Sequence, residues 1–560
     1  MDYSDLVKIY QELEKTTKRL EKTDIVSNFI KKIPSESLSY VVYLLEGRIF
    51  PEWDERKIGF SSKLMIKAIS QATGISAKDV EIRWSKVGDL GDVAEELMNK
   101  KKQATLFSSK LTIRKIIENI RKLSELEGEG TVDRKISLVA ELLTSSYPTE
   151  ARFIVRTVLE DLRIGIAAGV MRDAIAKAFN KEIKEIGSAF DLTVDYGEVA
   201  KLAKNNELKA VSLKPGKPIK MMLSIIASNV EEGFEYLGKP MQCEFKLDGF
   251  RLQIHKHKGE IKLFTRRMEN VTKQFPDLIN TIKTHVKGDS FILDAEAVGY
   301  DKKTKRYLPF QSISQRIRRK YDIEEVAEKF PVELNVFDIV YYKNKSLMNE
   351  NLKERRKLIE SIIKQEIGKI RLTEKLVTSN INEAKKFYQE ALKGGTEGIM
   401  MKNMNSEYRP GRYVGGWMKL KQILEPLDLV IVGAEYGTGK RAGFLSSYVL
   451  ACKSGNKLLE CGMVSTGVKE KVQEEGITYN ELTKLLKPSI IEQKGKYVKV
   501  KPKIVIEVGY EEIQKSPTYS SGFALRFPKF LRLRSQEKTV KDINSIEDIR
   551  RIYNSQRGKK

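Results

Sequence analysis

Apolar residues recur at helical spacing through the first part of the chain. Leu6, Ile9, Tyr10, Leu13 and Leu20 form one such stripe, Ile136, Val139, Leu142 and Leu143 a second, and Ile154, Val155, Val158, Leu159 and Leu162 a third. Pro148 and Gly165 punctuate the segments, and alternating β-branched runs are scarce. This pattern predicts an all-α region over residues 1–217. It ends where Asn205-Asn206 and Leu213-Lys214-Pro215-Gly216-Lys217-Pro218 mark a linker. From residue 218 to 424 the period shortens to two. Strands are predicted at 252–254, 261–264, 291–298, 332–341 and 398–402, with helices over 351–364 and 382–392. That is an α+β pattern.

Residues 425–560 predict five further strands, at 427–436, 447–453, 458–464, 503–510 and 525–533. Gly437, Gly439 and Gly443 separate the first two. Five short strands with glycine turns suit a β-barrel of the OB-fold type. Gly437-Thr438-Gly439-Lys440-Arg441 superficially suggests a phosphate loop, but the required spacing and the strand-loop-helix context are missing. The expected architecture is multidomain, with an all-α domain (1–217), an α+β domain (218–424) and a β-barrel (425–560).

Composition adds partners and exclusions. With 41% hydrophobic and 32% charged residues the 560-residue chain can bury ordinary cores and stay soluble. No apolar run approaches the ~20 residues that span a membrane, and the N-terminus Met1-Asp2-Tyr3-Ser4-Asp5 lacks the basic and apolar start of a signal peptide. The cytosol is the expected location. Three cysteines, Cys243, Cys452 and Cys461, are too few for a disulfide framework or a four-cysteine zinc site. The three histidines, His255, His257 and His285, lie in one short region, so chemistry must rest on lysine, arginine and carboxylates. A formal net charge of +25 makes nucleic acid the leading partner. Basic clusters on the predicted helices, Lys110, Arg114, Lys115, Arg121 and Lys122 and later Arg152, Arg156 and Arg163, suit phosphate contacts or ordinary solvated faces.

The chemistry centres on Glu244-Phe245-Lys246-Leu247-Asp248-Gly249-Phe250-Arg251. An Asp-Gly turn between two β-like runs predicts a hairpin with Lys246 held at the turn. A lysine becomes nucleophilic only as the neutral amine, which burial, a metal ion or a neighbouring cation such as Arg251 favours. Further along, Glu296, Glu397, Lys402, Lys419 and Lys421 stand on apolar strands. Charges there are costly unless paired or ion-bound, and a nucleoside triphosphate with Mg²⁺ satisfies the set: carboxylates hold the metal, lysines the phosphates. Separately, Lys100-Lys101-Lys102-Gln103-Ala104-Thr105-Leu106-Phe107 resembles a shortened version of the peptide that enters PCNA-type sliding clamps. Gln103 would anchor it and Leu106 and Phe107 would fill the apolar pocket, although both also suit a core.

Six spaced motifs together resemble the ATP-dependent DNA ligases of the archaeal and eukaryotic type, over nearly the whole chain. Lys246-Leu247-Asp248-Gly249-Phe250-Arg251 looks like the family's K-x-D-G-x-R motif, with Lys246 as nucleophile. Thr265-Arg266-Arg267, Asp294-Ala295-Glu296, Phe337-Asp338, Glu397-Gly398-Ile399-Met400-Met401-Lys402, and Arg412 with Trp417-Met418-Lys419-Leu420-Lys421 look like the motifs that follow. The resemblance implies that Glu244 contacts the adenine edge, Arg266 the ribose and phosphates, and Phe337 the adenine face. It further implies that Glu296 serves ribose and metal, Glu397 the metal, and Arg412, Lys419 and Lys421 the nucleotide. Arg532 and Arg534, in 526–534, resemble the C-terminal motif that swings over the nucleotide, although Lys529 stands where the family commonly has arginine. The arginines of Gln315-Arg316-Ile317-Arg318-Arg319-Lys320 would face the duplex. The implied protein is a monomeric DNA ligase with a helical DNA-binding domain, an adenylation domain and an OB-fold. It would use ATP and Mg²⁺, with Mn²⁺ as a substitute, on nicked duplex DNA. An RNA ligase or capping enzyme would share the lysine motif but not need the long helical region. An NAD-dependent ligase would carry a four-cysteine zinc site, and a non-enzymatic scaffold would leave Lys246 unexplained.

Overall fold

The computed structural model describes residues 1–100, 110–126, 128, 130–308, 310–318, 322–411, 416–422, 424–437, 441, 443–470 and 476–556. Its N-terminal body is helical, running from Tyr3–Glu14 to Tyr196–Lys204 around one apolar core. Tyr3, Leu6, Tyr10 and Leu13 are buried on one face of the first helix, as the spacing predicts. Leu20 is not: it is 79% exposed, because the helix ends before it and Arg19–Lys32 starts with a new phase. Several ends carry local stop and start signals. Ser61, Ser76, Asp89, Thr112 and Asp195 accept a backbone N–H of the first turn, and Gly74 and Gly88 close helices in the left-handed conformation.

The middle body contains two sheets. One has the order Ile225–Ile226, Trp417–Lys421, Gly398–Asn403, Met241–Lys246, Lys375–Thr378. The other runs Glu260–Thr265, Phe250–His257, Phe291–Asp301, Val332–Tyr342, Lys345–Ser346. Period-two alternation sorts the side chains. In the first sheet Met241, Cys243, Ile399, Met401, Met418 and Leu420 face helices Val230–Leu237 and Ile381–Lys393. In the second, Leu252, Ile254, Leu293, Ala295 and Ala297 face helices Pro276–His285 and Leu352–Ile362. The residues of opposite parity, Glu244, Lys246, Arg251, Glu296, Met400, Lys402, Lys419 and Lys421 among them, line a cavity between the sheets.

The expected hairpin at Lys246 is therefore wrong. Met241–Lys246 and Phe250–His257 belong to different sheets and do not pair; the Asp-Gly step carries the chain from one to the other. The crossing is tight: a Cβ on Gly249 would lie 2.3 Å from the carbonyl oxygen of Ala297. Gly398, opposite Lys246, has φ of +144° and would place a Cβ 2.0 Å from the carbonyl oxygen of Leu420. The linker is clipped to the second sheet. Gly216 N–H donates to His255 Nδ1 at 3.0 Å and Ile219 N–H to Gln253 Oε1 at 3.0 Å.

The C-terminal body is built on sheets, and more strands form than expected. Ile490–Lys494, Tyr497–Val500 and Glu512–Lys515 join the five. The expected run at 525–533 is two strands in separate sheets. Phe527, at φ of +49°, and Pro528 divide Phe523–Arg526 from Lys529–Leu533. Among the described residues no helix is long and apolar enough to cross a membrane.

Candidate nucleotide site

The cavity has a volume of about 1340 Å³ and draws on all three bodies. Glu55 and Lys57 come from the helical body, and Glu511, Gln514, Arg526 and Phe527 from the C-terminal one. Lys246 ends its strand at the cavity, with Nζ 2.7 Å from Glu397 Oε2. Lys421 Nζ lies 3.2 Å from the same oxygen and 3.1 Å from Glu511 Oε2. Register explains the convergence: Gly398 pairs with Lys246 on one side and Lys421 on the other, so Glu397 sits between two lysines.

Burial favours the neutral acid at Glu397, but Lys246 and Lys421 outweigh it and hold the carboxyl well below its ordinary range. Asp248 goes the other way, pushed up by burial and by Glu397, although Arg526 Nη1 approaches to 3.6 Å. Glu296 is pushed up to about 8 by burial, against the pull of Lys246 and Arg251. Burial, then Lys421 and Lys246, lowers Lys419, while Glu397 and Glu511 overcome burial to raise Lys421.

Arg251 is not the partner of Lys246. Its guanidinium donates to Asp294 at 2.9 and 2.6 Å and to the carbonyl of Met222 at 2.6 Å. It lies 5.4 Å from the ring centroid of Phe337 and 5.7 Å from that of Trp417. Arg251 thus ties the second sheet to the segment entering the domain and carries its own counter-ion.

Two residues further into the fold, Glu244 is 1% exposed. Its Oε2 is 2.6 Å from Lys402 Nζ, and Oε1 accepts from Gln242 Nε2 at 2.6 Å. Arg356 Nη1 stands 3.5 Å from Oε1. Phe337 and Trp417 meet edge to face at 6.1 Å beside this cluster. The cavity therefore joins a buried aromatic and polar wall to a lysine-rich region at Lys246, Lys419 and Lys421.

Of the residues expected in the site, Glu244, Lys246, Arg251, Arg266, Glu296, Phe337, Glu397, Lys419 and Lys421 all line it. Arg412, Gln103, Leu106 and Phe107 lie outside the described residues. Arg532 and Arg534 are not brought to the cavity. Arg532 pairs with Glu507 at 2.7 Å, and Arg534 with Asp428 at 3.4 Å and Glu537 at 3.2 Å. Arg316, expected at the duplex, is 1% exposed and donates to Asp277 and to the carbonyls of Gln274 and Phe330. Arg152 and Arg156 are structural too: they bridge Glu14, Glu95, Asp89 and Asp92. Glu511 went unnoticed because a separate domain delivers it, whereas Arg526, the first residue of the expected C-terminal motif, does line the cavity. Lys402 did carry a signal, a charge on an apolar strand in the same parity as Met400.

Comparison with known proteins agrees over the whole chain. The family model for the DNA ligase N terminus matches residues 2–176, that for the ATP dependent DNA ligase domain 221–421, and that for the ATP dependent DNA ligase C terminal region 441–537. The DNA ligase of Nanoarchaeum equitans is 46% identical, with 100% of this chain and 99% of that protein covered. The DNA ligase of Thermococcus onnurineus is 42% identical over 99% of this chain and 98% of its own. The solved structure Pmar-Lig_PreS3, 16% identical, shares the fold with a TM-score of 0.57, covering 94% of this chain and 99% of its own. The chain belongs to the ATP-dependent DNA ligase family.

Proposed function

We propose that this chain seals nicks in duplex DNA, in replication, repair and recombination, with Lys246 carrying AMP from ATP to the DNA. The observation behind the residue assignment is that Lys246 lines one cavity with Lys419, Lys421 and the aromatic wall of Phe337 and Trp417. ATP would lay its base against Phe337 and Glu244 and its phosphates among Arg266, Lys419 and Lys421, with Arg412 completing the pocket. The Lys246 amine attacks the α-phosphorus, forming a P–N bond as pyrophosphate leaves. An oxygen of the DNA 5′-phosphate then attacks the AMP phosphorus and breaks that bond. The 3′-hydroxyl attacks the activated 5′-phosphate, forms the phosphodiester and expels AMP. Such transfers depend on positioning and charge neutralisation.

Glu296 and Glu397 would hold Mg²⁺, or Mn²⁺ in its place. The donor set fits: both are carboxylates, and Mg²⁺ is usually bound through one or two carboxylates plus substrate phosphates. Among the described residues no cluster of three or more ligating side chains offers a full protein cage. When bound, the metal neutralises phosphate charge. Engaging Glu397 elsewhere would also release the Lys246 amine from its ion pair.

The domain assignment follows: a helical DNA-binding domain (1–217), an adenylation domain (218–424) and an OB-fold (425–560), acting as a cytosolic monomer. Arg532 and Arg534 would reach the nucleotide only after the C-terminal body turns, since other acids hold them here. Gln103, Leu106 and Phe107 would engage a sliding clamp; Phe107→Ala should weaken clamp binding and leave self-adenylylation intact, and unchanged clamp affinity would remove that role. Incubation with α-³²P-ATP and Mg²⁺ tests the core reading. A labelled wild-type band that pyrophosphate reverses and Lys246→Ala lacks is expected; an unlabelled wild type would overturn it.

A further inference from the structure

Arg266 and Arg267 stand on a turn at the end of Glu260–Thr265, an edge strand of the second sheet. The turn closes on itself: Met268 N–H donates to the carbonyl of Thr265 at 2.7 Å, and Thr265 N–H to the carbonyl of Glu269 at 2.9 Å. Both arginines are exposed and line the cavity. Met268, the next residue, goes the other way. It is 8% exposed and belongs to the apolar core of the helical body, whose other buried members all come from residues 3–208. Its φ of +67° lies in the left-handed region, where a side chain is strained. A turn formed for its backbone alone takes glycine or asparagine there. An unbranched apolar side chain reaching into a neighbouring core accounts for methionine instead. Two residues on, Asn270 N–H donates to Glu55 Oε2 at 3.2 Å. The helical body thus holds the arginine turn at two points.

Resting on the reading of Arg266 as a nucleotide-binding residue, we propose that Met268 is a positioning residue. Its anchorage in the core of the helical body aims Arg266 at the bound nucleotide, so self-adenylylation depends on the helical body as well as on the middle one. An arginine on a free turn at a sheet edge samples many orientations, and nucleotide binding would have to order both the turn and the side chain. Anchoring the turn beforehand removes the first of these costs. Burial, then Lys421, Lys246 and Arg266, lowers Lys419, which sets Arg266 beside the lysine-rich region it would complete.

The test is label transfer from ATP to Lys246 in the full chain without DNA, read as kcat and KM per folded enzyme. It compares the wild type, Met268→Asn, Arg266→Ala and the double variant. Asparagine suits the left-handed turn but withdraws the apolar anchor. Met268→Asn should lower kcat/KM by about 10- to 100-fold, the scale of a displaced positioning group, mainly through KM, and Met268→Leu should recover most of the loss. Because Met268 acts through Arg266, the double variant should be no slower than Arg266→Ala. Losses that multiply overturn the proposal, and so does a wild-type kcat/KM in Met268→Asn. Glu55 is exposed, so Glu55→Ala loosens the same turn without opening a core. It takes the place of Met268→Asn in the cycle if that variant does not fold, with an expected loss of about 3- to 10-fold, the range of one hydrogen bond, and the same outcomes overturn the proposal. An Arg266→Ala enzyme that labels like the wild type defeats the assignment of Arg266 to the nucleotide instead.

Discussion

Two charge clusters are built from similar side chains and differ in what surrounds them. In the helical body Arg156 is 9% exposed and bridges Glu14 at 2.5 Å, Asp89 at 3.2 Å and Asp92 at 2.9 Å. Its neighbour Arg152 reaches Glu14 and Glu95. Acids surround each cation, so the network joins helices. Around Lys246 the balance inverts. Two lysines share one Glu397 oxygen, Lys419 stands nearby, and the space between them is open. Cations in excess of their acids beside an empty volume are prepared for an anion. Buried charge alone does not mark function; unneutralised charge at a cavity does.

The comparison can be broken or sharpened by experiment. Lys246→Ala should abolish label transfer from ATP while leaving the melting temperature near that of the wild type; retained labelling would move the nucleophile elsewhere. Arg156→Met should do the reverse. Removing one partner from a buried network costs about 3–5 kcal/mol, read in a denaturant titration, with labelling preserved in the fraction that stays folded. Lys421→Ala should slow self-adenylylation by about 10²- to 10³-fold, the usual effect of deleting a donor aimed at developing charge. A wild-type rate there would return Lys421 to a purely structural pairing with Glu511.

His255 gives a smaller effect, at the linker. Burial, with Lys262 nearby, pushes its imidazole down to about 3. As the neutral ring it accepts from Gly216 N–H and donates to Gln253 Oε1 at 2.9 Å. An exposed histidine titrates near ~6.5, so on acidification the unfolded chain binds the proton first. The stability is complete above about 6.5 and is lost as pH falls toward 3. Between pH 6.5 and 5.5 the loss should be about 1 kcal/mol, and His255→Gln should flatten that part of the melting curve against pH. Leu20→Ser should change stability by less than about 0.5 kcal/mol, because Leu20 faces solvent.

Hydropathy period alone determined the succession of a helical, a mixed and a strand-rich region, because burying one face of each element demands it. Alternation placed Glu244, Lys246, Glu296, Lys402, Lys419 and Lys421 opposite the apolar positions of their strands, and the motifs named most of the cavity wall. Which surface lay opposite was a tertiary matter. The Asp-Gly turn reads as a hairpin locally, yet its two strands pair with distant partners and the turn becomes the bridge between sheets. Charge on a helix reads the same whether its counter-ions are water or acids from other helices, so Arg156 and Arg316 were legible only after folding. Lys246 was visible from its neighbours in sequence. Its partner is Glu397 rather than Arg251, because strand pairing brings together residues 151 positions apart while Arg251, five positions away, turns to Asp294.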